Sequence, residues 1–299
     1  MFVEALEQLR RRVPALPAHL ADVGVVSRRL EPMRGFAAVD GAQLVGYLTA
    51  WFPIEDFRGA QRIGAYAPEW AHAATGEHRR AVQAALYRAA SETWAAAGCD
   101  THAITLLADD DVDRDTWFWS GFGMGTVDAI RPMEPLGGRA SVGFSVRRAT
   151  LEDAQALAVL DMEHQGHYSE APVFMAPRQP TAASAWAKFL EGEGNSAWIA
   201  QDAEGPFGFI RFAREFNASS VVDSTEGIFI SGAYVQKRAR GRGAATAMLD
   251  AAFRHYASAG IRSCAVDFEA FNPEASAFWL RHFTPVCTSL MRVPEWRPE

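Results

Sequence analysis

Phe144–Arg148 alternates apolar and polar positions, the period of a strand with one buried face. Thr150-Leu-Glu-Asp153 then opens a helix in the manner of a capping box, and Ala156, Leu157 and Leu160 continue it at helical spacing. Thr181–Leu190 predicts a second, shorter helix. Ala197–Ala200, a turn around Gly205 and Phe207–Ala213 predict a hairpin. Gly227–Val235 predicts a longer strand, with Gly232 as a bulge. Ala244–Ala259 carries Met248, Leu249, Ala252, Phe253 and Tyr256 on one apolar face, and Gly260 stops it. Ile261–Phe268 predicts a buried strand, Asn272-Pro273 caps and opens a helix that runs to Arg281, and Val286–Val293 closes as a strand. The order β-α-α-β-β-β-α-β-α-β predicts an α/β fold: a mixed sheet with helices on both faces.

The first half repeats part of this pattern. Val45-Gly46-Tyr47-Leu48 returns as Phe207-Gly208-Phe209-Ile210, and Ala96-Ala97-Gly98 returns as Ser258-Ala259-Gly260. Both pairs are 162 residues apart, and the same offset sets Trp94 on Tyr256 and Leu86 on Met248. A constant offset over this length predicts two duplicated domains. Glu134–Ser141 has the Pro/Gly composition of a linker, so the boundaries are set at 1–138 and 141–299. The first half is expected to hold the later elements and not the earlier ones as they stand, its opening strand and helices being shortened or rebuilt, with Val3–Arg12 forming a helix.

One segment between strand and helix carries chemistry: Val235-Gln-Lys-Arg-Ala-Arg240-Gly241-Arg242-Gly243-Ala244-Ala245-Thr246. Gly and Ala let the backbone approach a ligand, while N–H groups at the helix start converge on it. With Arg238, Arg240 and Arg242 alongside, the segment suits a phosphorylated ligand, pyrophosphate above all. A P-loop is excluded, because no Gly-Lys-Ser/Thr follows. Gly241-x-Gly243 also imitates a dinucleotide-binding turn with Asp267 or Glu269 as the ribose acid, but too little chain follows for a further βαβ half.

The segment resembles motif A of the GNAT superfamily, Arg/Gln-x-x-Gly-x-Gly/Ala, read here as Arg240-Gly-Arg-Gly243-Ala-Ala245. Asn272-Pro-Glu-Ala275-Ser-Ala-Phe278-Trp279 is similar to the family's Asn-x-x-Ala-x-x-Phe-Tyr helix. The resemblance spans Phe144 to Arg292 and implies tandem GNAT domains, acetyl-CoA as donor and direct acyl transfer to an amine of a small molecule or peptide. It implies that the backbone of Tyr234 and Val235 bonds the pantetheine arm, that residues 240–246 cradle the pyrophosphate, and that Asn272 and Phe278 line the pantetheine and thiol end. One position departs from the family: Trp279 replaces a frequent Tyr, a proposed acid for the departing thiolate. GNAT enzymes often hold a carboxylate on the central strand as a base for the amine, which makes Glu226 the candidate, with Asp223 and Glu269 behind it.

Glu163-His164-x-x-His167-Tyr168 follows the first helix, where the resemblance implies a substrate loop. Two histidines at this spacing without further ligands do not make a metal site. Ser231 and Glu269 are further candidates for touching substrate, and Asp109–Asp113 reads as a solvated acidic loop. The offset of 162 sets Arg240, Gly241, Gly243 and Ala245 on His78, Arg79, Ala81 and Gln83, so both glycines are lost and the first half is expected to be a degenerate GNAT-like domain without cofactor.

Composition narrows the partners. A net charge of −7 argues against nucleic acid, and no stretch approaches the roughly 20 apolar residues of a membrane span. Glu4 and Glu7 interrupt the first apolar stretch, unlike a signal peptide. Three widely spaced cysteines suit reduced thiols, and with the charge they predict a cytoplasmic enzyme, monomer or homodimer. The alternative from another class is a GNAT-fold protein that binds acyl-CoA without turnover, as a sensor or interaction module.

Overall fold

The computed structural model describes residues 1–108, 110–137 and 143–295. The first half runs α1 (Phe2–Arg12), α2 (Val23–Leu30), β1 (Arg34–Asp40), β2 (Gln43–Ile54), β3 (Gly64–Ala67), β4 (His72–Ala74), α3 (Arg79–Ala96), β5 (Thr101–Leu107), α4 (Asp111–Trp119) and β6 (Gly123–Pro132). The second runs β7 (Ser145–Arg148), α5 (Ala154–Ser169), α6 (Ala183–Glu191), β8 (Ser196–Asp202), β9 (Gly205–Ala213), β10 (Gly227–Val235), α7 (Ala244–Ser258), β11 (Ser263–Glu269), α8 (Pro273–His282) and β12 (Thr284–Arg292). Every element expected in the second half is present, in the expected order. The boundaries at 138 and 141 fall outside the described residues.

Packing groups the chain into two compact units that do not coincide with the sequence halves. The first holds Met1–Ala129, Ser219–Val222 and Phe268–Glu299; the second holds Ile130–Ala218 and Asp223–Asp267.

In the first unit the strands run β1-β2-β3-β5-β12-β6, with β4 also on β2. β3 and β5 are parallel, and β12 lies antiparallel to β5 from Cys287 on Leu107 to Arg292 on His102. The last strand of the chain is thus built into the sheet of the first unit. Leu86, Tyr87 and Trp94 of α3 pack with Trp117, Phe122 and Leu290 into its core. Phe2, Leu6 and Leu9 are the buried face of α1, and Asp22 caps α2 by accepting from Gly24 N at 2.7 Å and Val25 N at 3.3 Å.

The opening helices of the first half are shortened relative to those of the second, 11 and 8 residues against 16 and 9. Both opening helices and the β1–β2 hairpin are present; among the described residues, only a strand before α1 is wanting. The acidic run is also no mere loop. Asp109 lies outside the described residues, but Asp110 caps α4 through Asp113 N at 3.0 Å, and Asp111 and Asp113 lie in its first turn.

In the second unit β7-β8-β9-β10 are joined antiparallel, and β11 lies parallel on β10. The Thr150–Asp153 capping box opens the turn that leads into α5. Leu157 and Leu160 of α5 and Trp186 of α6 close over Ile199, Phe209 and Tyr234. Burial of each large side chain contributes about 1.5–3 kcal/mol.

Positions 162 residues apart share some local constraints. A Cβ on Gly46 would lie 2.7 Å from Val82 Cγ1 and 3.1 Å from Ala73 O; one on Gly208 would lie 3.0 Å from Tyr234 O. Both positions therefore need glycine for a close approach. Gly98 and Gly260 end α3 and α7 with φ of +84° and +79°. The same offset sets Asp110 on Asn272, each capping its helix, and Trp117 on Trp279, both buried.

Candidate functional site

The site grows from an interruption in β10. Parallel pairing with β11 runs only from Gly227 on Ser263 to Ile230 on Val266. Antiparallel pairing with β9 continues to Val235, but the register slips between Ile230 and Gly232, so the extra residue of the expected bulge is Ser231 beside Gly232. From Gly232 to Val235 the strand has a neighbour on the β9 side and none from β11. Backbone groups on that side have no ladder partner from β11.

Beyond Val235 the chain turns tightly through Lys237–Ala239 and enters α7. Gly241 and Gly243 both hold positive φ, +76° and +83°, which an L side chain adopts only with strain. A Cβ built on either meets nothing within 4 Å. The space in front of the turn is open. Gly243 occupies the N-cap of α7, and no side chain caps that end. The first N–H groups of a 15-residue helix, beginning at Ala244, Ala245 and Thr246, thus converge without a side-chain partner. Their partial positive charge favours an anion.

The three arginines divide. Arg240 donates from Nε to Val235 O at 3.0 Å and lies 5.9 Å from the Tyr234 ring, which braces the turn against its strand. Arg238 and Arg242 both lie within ion-pair reach of Asp202, at 3.2 and 3.6 Å, and both stack near Phe207. Sequence reasoning missed Asp202, which follows from the short turn between β8 and β9.

Glu163, His164, His167 and Tyr168 do not follow the first helix, as expected from sequence; they form the last turns of α5. Glu163 faces the turn, accepting from Tyr234 Oη at 3.3 Å and from Gln236 Nε2 at 3.0 and 3.1 Å. Burial, joined by the charge of Glu163, raises the Tyr234 phenol. His164 is buried between Tyr168, Phe209 and Tyr234, with Asp161 at 3.7 Å. Gln236, the partner that joins Glu163 to the turn, was not singled out from sequence; its place beside Val235 was the available signal.

Other candidates lie elsewhere. Ser231 is exposed at the bulge. Glu226 precedes β10 at the end away from the glycine turn, roughly 16 Å of strand before Ser231. It is exposed and pairs with Arg262 at 3.3 Å, and this position does not bring it to the bulge. Asp223 is exposed in the same connection. Asn272, Phe278, Trp279 and Glu269 belong to the first unit. There Asn272 accepts from Ala275 N at 3.2 Å, Trp279 packs between the rings of Phe278 and Phe283, and Glu269 lies 3.6 Å from Arg58. In the first half, Arg79 stands where Gly241 stands in the second, and it donates two hydrogen bonds to Asp110, both of 2.8 Å.

Residues 162–283 match the model of the acetyltransferase (GNAT) family. They form a GNAT domain. No curated protein matches the chain. A GCN5-related N-acetyltransferase from Sphaerobacter thermophilus is similar in structure, with a TM-score of 0.56 at 14% identity over 93% of this chain and 88% of that one. A tandem GNAT protein from the clavulanic acid biosynthesis pathway aligns over 90% of this chain and 86% of that one, at 16% identity and a TM-score of 0.47. A GCN5-related N-acetyltransferase from Kribbella flavida aligns over 89% and 90%, at 12% identity and a TM-score of 0.46. The first of these likenesses supports the fold alone. Among the described residues of the GNAT domain and the rest of the chain, no cluster of His, Cys, Asp and Glu is arranged to hold a metal, and no helix is long and apolar enough to cross a membrane.

Proposed function

We propose that the GNAT domain of the second half transfers an acetyl group from acetyl-CoA to an amine of a small molecule or peptide. The observation that carries this reading is the glycine turn: two positive-φ glycines with open space in front of them, before the side-chain-free N-terminus of α7. Bare N–H groups at a helix start suit a pyrophosphate, and the edge of Gly232–Val235 that has no β11 partner suits an amide-bearing arm that bonds like an added strand. Acetyl-CoA supplies an activated thioester.

The chain's own residues then have three tasks. The backbone of Tyr234 and Val235 holds the arm in register. Residues 240–246 neutralise the pyrophosphate, with Arg240 bracing the turn from behind. The third task is to relieve the amine of a proton, since an amine with a pKa near 10 is charged at neutral pH and does not attack. Glu163, hydrogen-bonded to Tyr234 and Gln236, is a carboxylate beside the arm-binding stretch and takes that proton, directly or through water, before the free amine attacks the thioester and CoA leaves as the thiolate. The exposed, ion-paired setting of Glu226 argues against its candidacy as base.

The first half, 1–138, is read as a degenerate GNAT-like domain without cofactor, because the Arg79–Asp110 pair stands at the position of the open glycine. A cytoplasmic setting, a monomer or homodimer, and no nucleic-acid or membrane partner complete the proposal. The distant Glu226 and the indole of Trp279 favour a second reading, an acyl-CoA binder without turnover.

An amine panel with a free-thiol readout separates the two. Acyl transfer predicts amine-dependent release of CoA thiol above the slow hydrolysis background. Tight acetyl-CoA binding with no thiol release from any amine would favour the sensor reading.

A further inference from the structure

A cavity of about 760 Å³ opens within the first unit, between α1, β4 with the turn after it, and the start of α4. By the offset of 162 its walls correspond to the glycine-turn region of the second half: His72 to Tyr234, Arg79 to Gly241, Asp110 to Asn272 and Glu69 to the bulge residue Ser231. Duplication therefore accounts for a cleft here, and substitution has changed what it can take. The Arg79 guanidinium is held by Asp110, with Asp113 at 3.9 Å, so the cation that would meet a phosphate is already engaged.

What the cavity offers is acceptors. Glu69 and His72 both line it, and they are only 2% and 7% exposed. Glu69 Oε1 accepts from Val221 N at 3.1 Å, while Oε2 is buried without a hydrogen-bond partner among the described residues. His72 Nε2 lies 2.7 Å from Thr105 O. A carbonyl only accepts, so the ring proton sits on Nε2 and Nδ1 presents a lone pair. Nδ1 too is buried and unpartnered among the described residues. The five carboxylates on the walls, Glu4, Glu69, Asp110, Asp111 and Asp113, outnumber the three cations, Arg12, Arg79 and the Met1 ammonium, which pairs with Glu4 at 3.0 Å. Unmet buried acceptors are costly, and both call for a donor.

We propose that this cavity binds a small ammonium ligand, a primary amine or diamine, that donates to Glu69 Oε2 and His72 Nδ1. An anion would face the acidic walls. A metal does not fit, since no three ligating side chains among the described residues are grouped for one. Burial raises Glu69 to about 7 and Asp113 to about 6, and lowers His72 to about 4, so a cation entering here would restore the carboxylates and meet a neutral imidazole.

Calorimetric titration of the full chain with 1,4-diaminobutane, and with 1,4-butanediol as the uncharged control, tests this. One diamine site per chain and no diol binding are expected. Glu69→Gln keeps the carbonyl for Val221 N but turns an N–H₂ toward the acceptors, so it should weaken the diamine by about tenfold or more. Glu163→Gln should leave the diamine site intact, which separates this cavity from the proposed acceptor site of the second half, where Glu163 lies. Absence of diamine binding, equal affinity in Glu69→Gln, or loss in Glu163→Gln alone would overturn the proposal. Should Glu69→Gln not fold, the ¹⁵N signal of His72 Nδ1 in the wild type decides: it shifts on diamine addition, and an unmoved signal refutes the assignment.

Discussion

Gly243 compresses the account into one residue. Its φ of +83° and the open space before it leave room for a ligand that any side chain would enter. Gly243→Val strains a single helix cap, an effect of about 1–2 kcal/mol, and leaves the rest of α7 packed. It is expected to remove acetyl-CoA binding while circular dichroism reports a folded protein. Glu226 makes the opposite case. Loss of a working base costs about 10²–10⁴-fold in turnover, but an exposed carboxylate paired with Arg262 predicts a change below about tenfold in Glu226→Gln. A larger fall that shrinks as pH rises would return the base to Glu226. Trp279 is buried between Phe278 and Phe283, and an indole N–H is no useful acid. Trp279→Phe should therefore keep most activity in the thiol-release assay. If Trp279→Tyr alone released thiol with amines, the natural protein would be a binder. The glycines were legible in sequence because positive φ and close approach leave few other choices. Glu69 and His72 were not, since nothing local says that a Glu or His will lose water.

At the scale of elements, polar segments were the harder ones to read. Periodicity located α7, α8 and β10 within a residue or two, because each buries a continuous stripe. The polar run Glu163–Tyr168 suggests a loop, yet its side chains find partners in Tyr234, Gln236 and Phe209 and α5 continues through it. The short segment Ser219–Val222 is anchored by two buried carboxylates of the first unit: Asp128 accepts from Ser219 N at 3.2 Å and Glu69 from Val221 N. Burial raises Asp128 from 3.8 to about 6, and burial together with the charge of Asp128 raises Glu69 from 4.5 to about 7. The folded state thus binds more protons than the unfolded state between these values. Stability from these groups is full below about pH 4, and it falls as pH rises toward about 7. Thermal melts across that range should show the decline, and Glu69→Gln with Asp128→Asn should flatten it. A wild-type melting temperature that rises from pH 4 to 7, with no difference in slope for the double variant, would contradict this assignment.

For the whole molecule, sequence suggests two halves, whereas the packing divides the chain into compact units that cross them. Alternation in the last strand says that one face is buried; it is silent on the neighbour, and β12 pairs with β5 of the first half. Such pairing is decided by contacts far apart in the chain. Two related halves raise one question above the others, namely how many of them hold acyl-CoA. The account gives the second half an open turn and the first half an Arg79–Asp110 pair at the matching place. Isothermal titration of the full chain with acetyl-CoA tests this most directly, run on the wild type, Arg79→Ala and Gly243→Val. One site per chain is expected, unchanged in Arg79→Ala and absent in Gly243→Val; two sites per chain, or binding that survives in Gly243→Val, would contradict a single open turn.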